Sequence, residues 1–208
     1  MAHPVDLRDA EHRAQRYWTI DGLPELLMGA LWIVWGAAFL AGEALPRGPA
    51  WNVYWMFTPA VLAFSGVAAV WTIRQLKARI TFPRTGYVEW KEPSRPQRLL
   101  TAAVAILTAM LLVVIISTGR ARGVESAAAP ALGVILSLGF LVASVRQRAP
   151  YLLALAAVAL TLAVVFGTVA RGWYSVNWMF IALGAAAVVV GTIRLRIFLR
   201  KHPLEPAR

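Results

Sequence analysis

Residues 150–193 read PYLLALAAVALTLAVVFGTVARGWYSVNWMFIALGAAAVVVGTI, and one charge, Arg171, interrupts them. Each half matches the ~20 apolar residues that carry a helix across ~30 Å of hydrocarbon. Apolar and polar residues do not alternate as they do in the ~10-residue strands of a membrane barrel. The composition is rich in Ala, Leu and Val. A helix satisfies its own backbone in lipid, so two spanning helices are the expected structure.

Working outward, further uncharged runs occupy 26–42, 48–73, 99–119 and 126–145. With 149–170 and 172–193 they make six runs, each of about 17 residues or more, the lower limit for a span. The whole chain of 208 residues is 59% hydrophobic, above the ~45–50% of soluble domains. The mean hydropathy is +0.62. The predicted fold is therefore an all-α membrane protein, a bundle of six transmembrane helices.

The net charge of +11 reads first as topology rather than as nucleic-acid binding, because cytoplasmic loops retain Lys and Arg. With the N-terminus inside, Arg47, Arg120, Arg122 and Arg171 are the four outside members of the 21 Lys/Arg. The expected location is the cell (inner) membrane, multi-pass, with both termini cytoplasmic. The charged start, MAHPVDLRDAEHRAQR, has no apolar core, so the first run is expected to be retained rather than cleaved as a signal peptide.

The expected organisation is a cytoplasmic segment (1–22), a transmembrane hairpin (23–73) and a basic cytoplasmic loop (74–98). A second hairpin (99–145), an inside turn (146–149), a third hairpin (150–198) and a cytoplasmic tail (199–208) follow. The three hairpins repeat weakly: Thr72-Ile73-Arg74, Ser144-Val145-Arg146 and Thr192-Ile193-Arg194 close the second, fourth and sixth runs. The positive-inside rule alone also places Arg at such ends. Small residues four apart, such as Gly133 with Ser137, Gly139 with Ala143 and Ala187 with Gly191, allow close helix approach.

The loop 74–98 reads RQLKARITFPRTGYVEWKEPSRPQR. Ile80-Thr81-Phe82 and Tyr87-Val88-Glu89-Trp90 are strand formers around the turn material Pro83-Arg84-Thr85-Gly86. A small cytoplasmic β-hairpin between the second and third helices is predicted. Its basic residues suit anionic lipid head groups, or an acidic partner protein.

Chemistry is sparse. There is no cysteine, which removes thiol catalysis and cysteine-held metal. His3, His12 and His202 are isolated and lie outside the uncharged runs, so no metal site and no haem ligation through His or Cys is expected. No phosphate loop, Gly-x-Ser-x-Gly or His-Glu-x-x-His pattern appears. Catalytic residues are thus not expected, and the chain is read as a non-enzyme. A lipid-processing site, if there is one, would combine Asp21 and Glu25 with Arg84, Tyr87 and Glu89 at the cytoplasmic face.

Asp21 and Glu25 open the first helix, where a carboxylate suits free N–H groups and the positive helix end. Asn52 and Asn177 lie beside matching Trp-Met-Phe segments, at Trp55–Phe57 and Trp178–Phe180. Asp21, Glu25, Asn52 and Asn177 are the candidate polar site. Trp32 and Trp35 share one helix face at i, i+3, a surface for a partner helix, lipid, quinone or carotenoid. Together with Arg79, Arg84, Tyr87 and Trp90 they are the candidate partner or lipid contacts.

Two function classes fit. One is a non-catalytic accessory or scaffolding subunit of a larger membrane complex, of respiratory or photosynthetic type. It is favoured because ion-coupled transporters place ionisable groups within their spans and these six runs contain no Asp, Glu, Lys, Arg or His. The other is a carrier or channel for a neutral or lipid-like solute. The expected partners are membrane lipids and other membrane-protein subunits, without nucleic acid.

Overall fold

The computed structural model describes residues 20–85, 128–147, 149–168 and 173–203. Helix α1 spans Leu23–Ala44 and α2 spans Pro49–Leu76. A π-helical turn, Lys77–Thr81, and a short helix α3, Phe82–Thr85, follow without a break. Then come α4 (Ala128–Gln147), α5 (Tyr151–Thr168) and α6 (Trp173–Lys201). Five spans among the described residues are long and apolar enough to cross a membrane. These are the helices of a multi-pass membrane protein. The expected span 99–119 lies outside the described residues, so the sixth helix of the prediction is not among them.

The helices meet as the loop lengths dictate. Ala149 N–H donates to Ser144 O at 3.0 Å and Ser144 Oγ donates to Ala149 O at 3.1 Å, closing the tight turn between α4 and α5. Helix α1 packs against both α2 and α6, and its contact with α6 is the most extensive. That contact has a chemical cause. Gly22, Gly29 and Gly36 recur every seven residues, and so do Asn177, Gly184 and Gly191 on α6. A period of seven keeps one seam of each helix facing its partner.

The seam runs antiparallel and backbone to backbone. A Cβ at Gly29 would stand 2.6 Å from Gly184 O, and one at Gly184 would stand 2.6 Å from Gly29 O. At the ends, a Cβ on Gly22 would meet Gly191 O at 2.5 Å, and one on Gly36 would meet Asn177 O at 2.6 Å. Without glycine the two helices would have to separate. Close backbone approach is the main source of helix association in lipid, where apolar burial supplies no drive.

An aromatic chain flanks this seam, with Trp32 and Phe39 three residues after Gly29 and Gly36. Trp51 meets Trp55 (6.1 Å between ring centroids), Trp55 stacks on Phe39 (6.0 Å), and Phe39 meets Phe180 (6.2 Å). Trp32 then contacts Phe180 at 6.5 Å and Phe140 at 6.0 Å. These edge-on and stacked pairs tie α2, α1, α6 and α4 together, each at the centroid separation that aromatic quadrupoles favour.

The predicted β-hairpin is corrected. Its first strand, Ile80-Thr81-Phe82, is helical, and Pro83, Arg84 and Thr85 continue as helix rather than turn. No strand occurs among the described residues, and residues 87–90 lie outside them. The physical reason is that strand propensity is a weak preference which tertiary context overrides. An arriving helix gains one hydrogen bond for each residue it adds. Pro83 lacks an N–H and would clash with the carbonyl four residues back in a regular helix. The backbone widens just before it: Phe82 N–H bonds to Lys77 O, five residues back.

Candidate functional site

The described helices bury ionisable side chains at one end of the bundle, where α1 begins and α2 and α6 end. Asp21 enters it through Gly22, whose φ of 74° is left-handed. Only glycine takes that conformation without steric cost, and only glycine fits against Gly191. This turn folds the Asp21 carboxylate back into the bundle, where it is 0% exposed.

Each oxygen of Asp21 has a distinct task. Oδ1 accepts the Leu23 N–H at 3.1 Å, so Asp21 does satisfy a free donor at the start of α1. Oδ2 accepts Thr81 Oγ1–H at 2.7 Å and the Lys77 ammonium. Lys77 is 1% exposed and forms a buried ion pair with Asp21. Lys77 and Thr81 stand four residues apart at the two ends of the π turn, and both are buried. Widened turns of this kind recur at functional positions in helices.

Glu25 builds a second pair one turn further along α1. Its Oε1 accepts Tyr151 O–H at 2.6 Å and stands 2.8 Å from Arg194 Nη1. The Arg194 guanidinium lies 3.5 Å above the Tyr151 ring centroid, a cation–π contact that the planar guanidinium favours. Glu25 Oε2 is buried with no hydrogen-bond partner among the described residues. The cluster thus draws Asp21 and Glu25 from α1, Lys77 and Thr81 from the α2 extension, Tyr151 from α5 and Arg194 from α6.

Its two carboxylates face two cations, so the formal charge cancels. A charge moved out of water costs several kcal/mol, and only a well-placed partner offsets that cost (about 3–5 kcal/mol is lost when one partner of a buried pair is removed). The two pairs join the start of α1 to the ends of α2 and α6.

The other sequence candidates fall elsewhere. Arg84 is half-buried and donates from Nη1 to Ile80 O of its own helix at 2.7 Å, and Arg79 is exposed on the π turn. Tyr87 and Trp90 lie outside the described residues. Asn177 is buried on α6 at the far end of the glycine seam, whereas Asn52 is exposed on α2. Trp32 and Trp35 turn to different neighbours. Trp32 joins the aromatic chain, and Trp35 Nε1 donates to Ser65 Oγ at 3.0 Å.

Sequence reasoning named Asp21 and Glu25 but missed Lys77, Thr81, Tyr151 and Arg194. In the sequence Lys77 and Arg194 read as topology signals, and Tyr151 as part of an apolar run. Bounding the spans by their charges places every Asp, Glu, Lys, Arg and His outside them. The structure instead buries Asp21, Glu25 and Lys77 and half-buries Arg194. Among the described residues, no three His, Asp or Glu side chains converge as metal ligands. Comparison with known proteins gives no match: no family model, curated protein or solved structure is similar to this chain.

Proposed function

We propose that this chain is a non-catalytic membrane protein that serves as an accessory or scaffolding subunit of a larger membrane assembly. One observation carries this reading. The acidic side chains buried in the bundle are each paired with a basic one, Asp21 with Lys77 and Glu25 with Arg194, in an arrangement suited to holding helices rather than to receiving a solute. The glycine seam between α1 and α6 supports it, since backbone contact leaves no path between those helices.

Helix α2 is the natural docking element in this reading. It buries little of its own surface among the described residues and presents Met56, Phe57, Val61, Phe64, Val67 and Trp71. The basic end of the bundle faces the cytoplasm, and its Lys and Arg side chains meet anionic head groups there. A complex of respiratory or photosynthetic type fits a subunit that adds apolar packing without chemistry of its own.

The test is extraction from native membranes in mild detergent, followed by blue-native electrophoresis, mass spectrometry and an absorption spectrum of the band. Co-migration with defined subunits that survives a salt wash is the expected result. A lone 22.7 kDa chain or a homo-oligomer overturns the reading and moves a carrier of a neutral or lipid-like solute to first place. Altered membrane lipid composition on deletion, with assembly intact, would instead point to a lipid-processing enzyme.

A further inference from the structure

Beside the ion-pair cluster, at the same end of the bundle, lies a pocket of about 460 Å³ lined by Ile20, Arg194, Ile197, Phe198, Lys201 and His202. Its size falls within the range of about 300–1,000 Å³ typical of small-molecule sites. Its lining is of two kinds. Ile20 and Ile197 are large apolar side chains exposed at 39% and 48%. Phe198 is buried, with the His202 ring 4.7 Å away and its Nδ1 3.2 Å from Phe198 O. The lining surface is predominantly apolar; Arg194 and Lys201 are its cations, and no acidic side chain is among its described residues.

Lys201 is the cation that matters. It is exposed in the last turn of α6, and no carboxylate pairs with it among the described residues. Arg194, which pairs with Glu25, adds a guanidinium on the inner side. A pocket that joins two cationic side chains to aliphatic walls, at the end of a membrane-spanning helix, has the polarity of an amphiphile with an anionic head. Soluble anions would gain nothing from Ile20, Ile197 and Phe198.

We propose that this pocket seats one anionic phospholipid, its phosphate against Lys201 and Arg194 and the start of an acyl chain against Ile197 and Phe198. The inference rests on the multi-pass membrane reading and not on membership of a complex, because the pocket belongs to the single chain. A lipid held there would lie against Arg194 and so join the annular leaflet to the Glu25–Tyr151–Arg194 group.

The experiment uses the full chain, purified in an uncharged mild detergent and delipidated. Short-chain phosphatidylglycerol, phosphatidylcholine and inorganic phosphate are titrated separately. Bound lipid is counted by native mass spectrometry, and the thermal midpoint is followed in parallel. We expect one phosphatidylglycerol retained per chain, with phosphatidylcholine and phosphate not retained. Lys201→Ala should weaken phosphatidylglycerol about fivefold, the contribution of one basic residue near an anionic surface, and Lys201→Glu more. Ile197→Ala, at an exposed site, should weaken the lipid without affecting folding. Arg79→Ala, an exposed basic change on the π turn, should leave binding unchanged. Equal binding of phosphatidylcholine, equal losses in Lys201→Glu and Arg79→Ala, or phosphate binding as tightly as the lipid would each overturn the proposal. If every Lys201 variant melts at the wild-type temperature yet binds phosphatidylglycerol normally, it is overturned as well.

Discussion

Replacing Lys77 by Met removes one charge from a pair in which the lysine is 1% and Asp21 0% exposed. Asp21 keeps two neutral donors, Leu23 N–H and Thr81 Oγ1–H, but loses the cation that balances it. A buried charge stripped of its partner costs about 3–5 kcal/mol. The two remaining hydrogen bonds put the expectation at the lower end, about 3 kcal/mol. At ~2–4 °C per kcal/mol for a chain of this size, the thermal midpoint falls by ~6–12 °C. Asp21→Asn should cost a similar amount, because it leaves the buried Lys77 without that carboxylate. The decisive variant is the double one. Asp21→Asn with Lys77→Met removes both charges together with their shared desolvation cost, so its stability should return to within about 1 kcal/mol of wild type. Thermal unfolding of the full chain in one mild detergent, completed as a double-mutant cycle, measures the coupling. Single variants within ~0.5 kcal/mol of wild type, or a double variant whose loss is the sum of the two, would show that Asp21 and Lys77 are not coupled.

Four further outcomes follow from the same geometry. Gly29→Ala puts a Cβ 2.6 Å from the Gly184 carbonyl, whereas Gly139→Ala meets nothing within 4 Å. The first should cost about 1–3 kcal/mol and the second close to nothing, and equal melting temperatures would contradict the seam. Tyr151→Phe keeps the ring beneath Arg194 but deletes the 2.6 Å bond to Glu25 Oε1. A loss of about 1.5–3 kcal/mol is expected for a hydrogen bond to a charged acceptor, seen as a lower midpoint in the same unfolding assay. Trp35→Phe and Ser65→Ala interrupt one contact, so their double variant should lose no more than either single one. Finally, the absence of cysteine makes the chain suited to single-cysteine labelling. Arg47→Cys should react with an impermeant reagent in intact cells and Arg200→Cys only after permeabilisation, and the reverse pattern would invert the topology.

The legible and the illegible parts of this protein divide along physical lines. Small residues four apart suggested close packing, yet Gly139, one of those positions, faces open space, whereas Gly133 abuts Ala163. The glycine signal that organises the bundle was present at a spacing of seven, in Gly22, Gly29, Gly36, Gly184 and Gly191. Its meaning depends on two helices being antiparallel and in register, which neither helix shows alone. The hairpin expectation failed for a related reason. Ile80, Thr81 and Phe82 are good strand residues taken locally, but Thr81 gains a buried bond to Asp21 only if the helix continues.

The apolar runs alone specify a membrane chain of long helices and where five of the described helices lie. The bilayer makes that decision locally, since hydrocarbon admits long uncharged stretches and a helix satisfies its backbone within one segment. The sequence also flagged Asp21 and Glu25, because carboxylates at a helix start serve nearby N–H groups. Only the tertiary structure decided their partners: Lys77 is 56 residues from Asp21 along the chain, and Tyr151 is 126 from Glu25. Any of the many Lys and Arg side chains could have supplied those cations. Which ones did so was fixed when glycine let α1 and α6 touch and the π turn aimed Lys77 and Thr81 at one carboxylate oxygen.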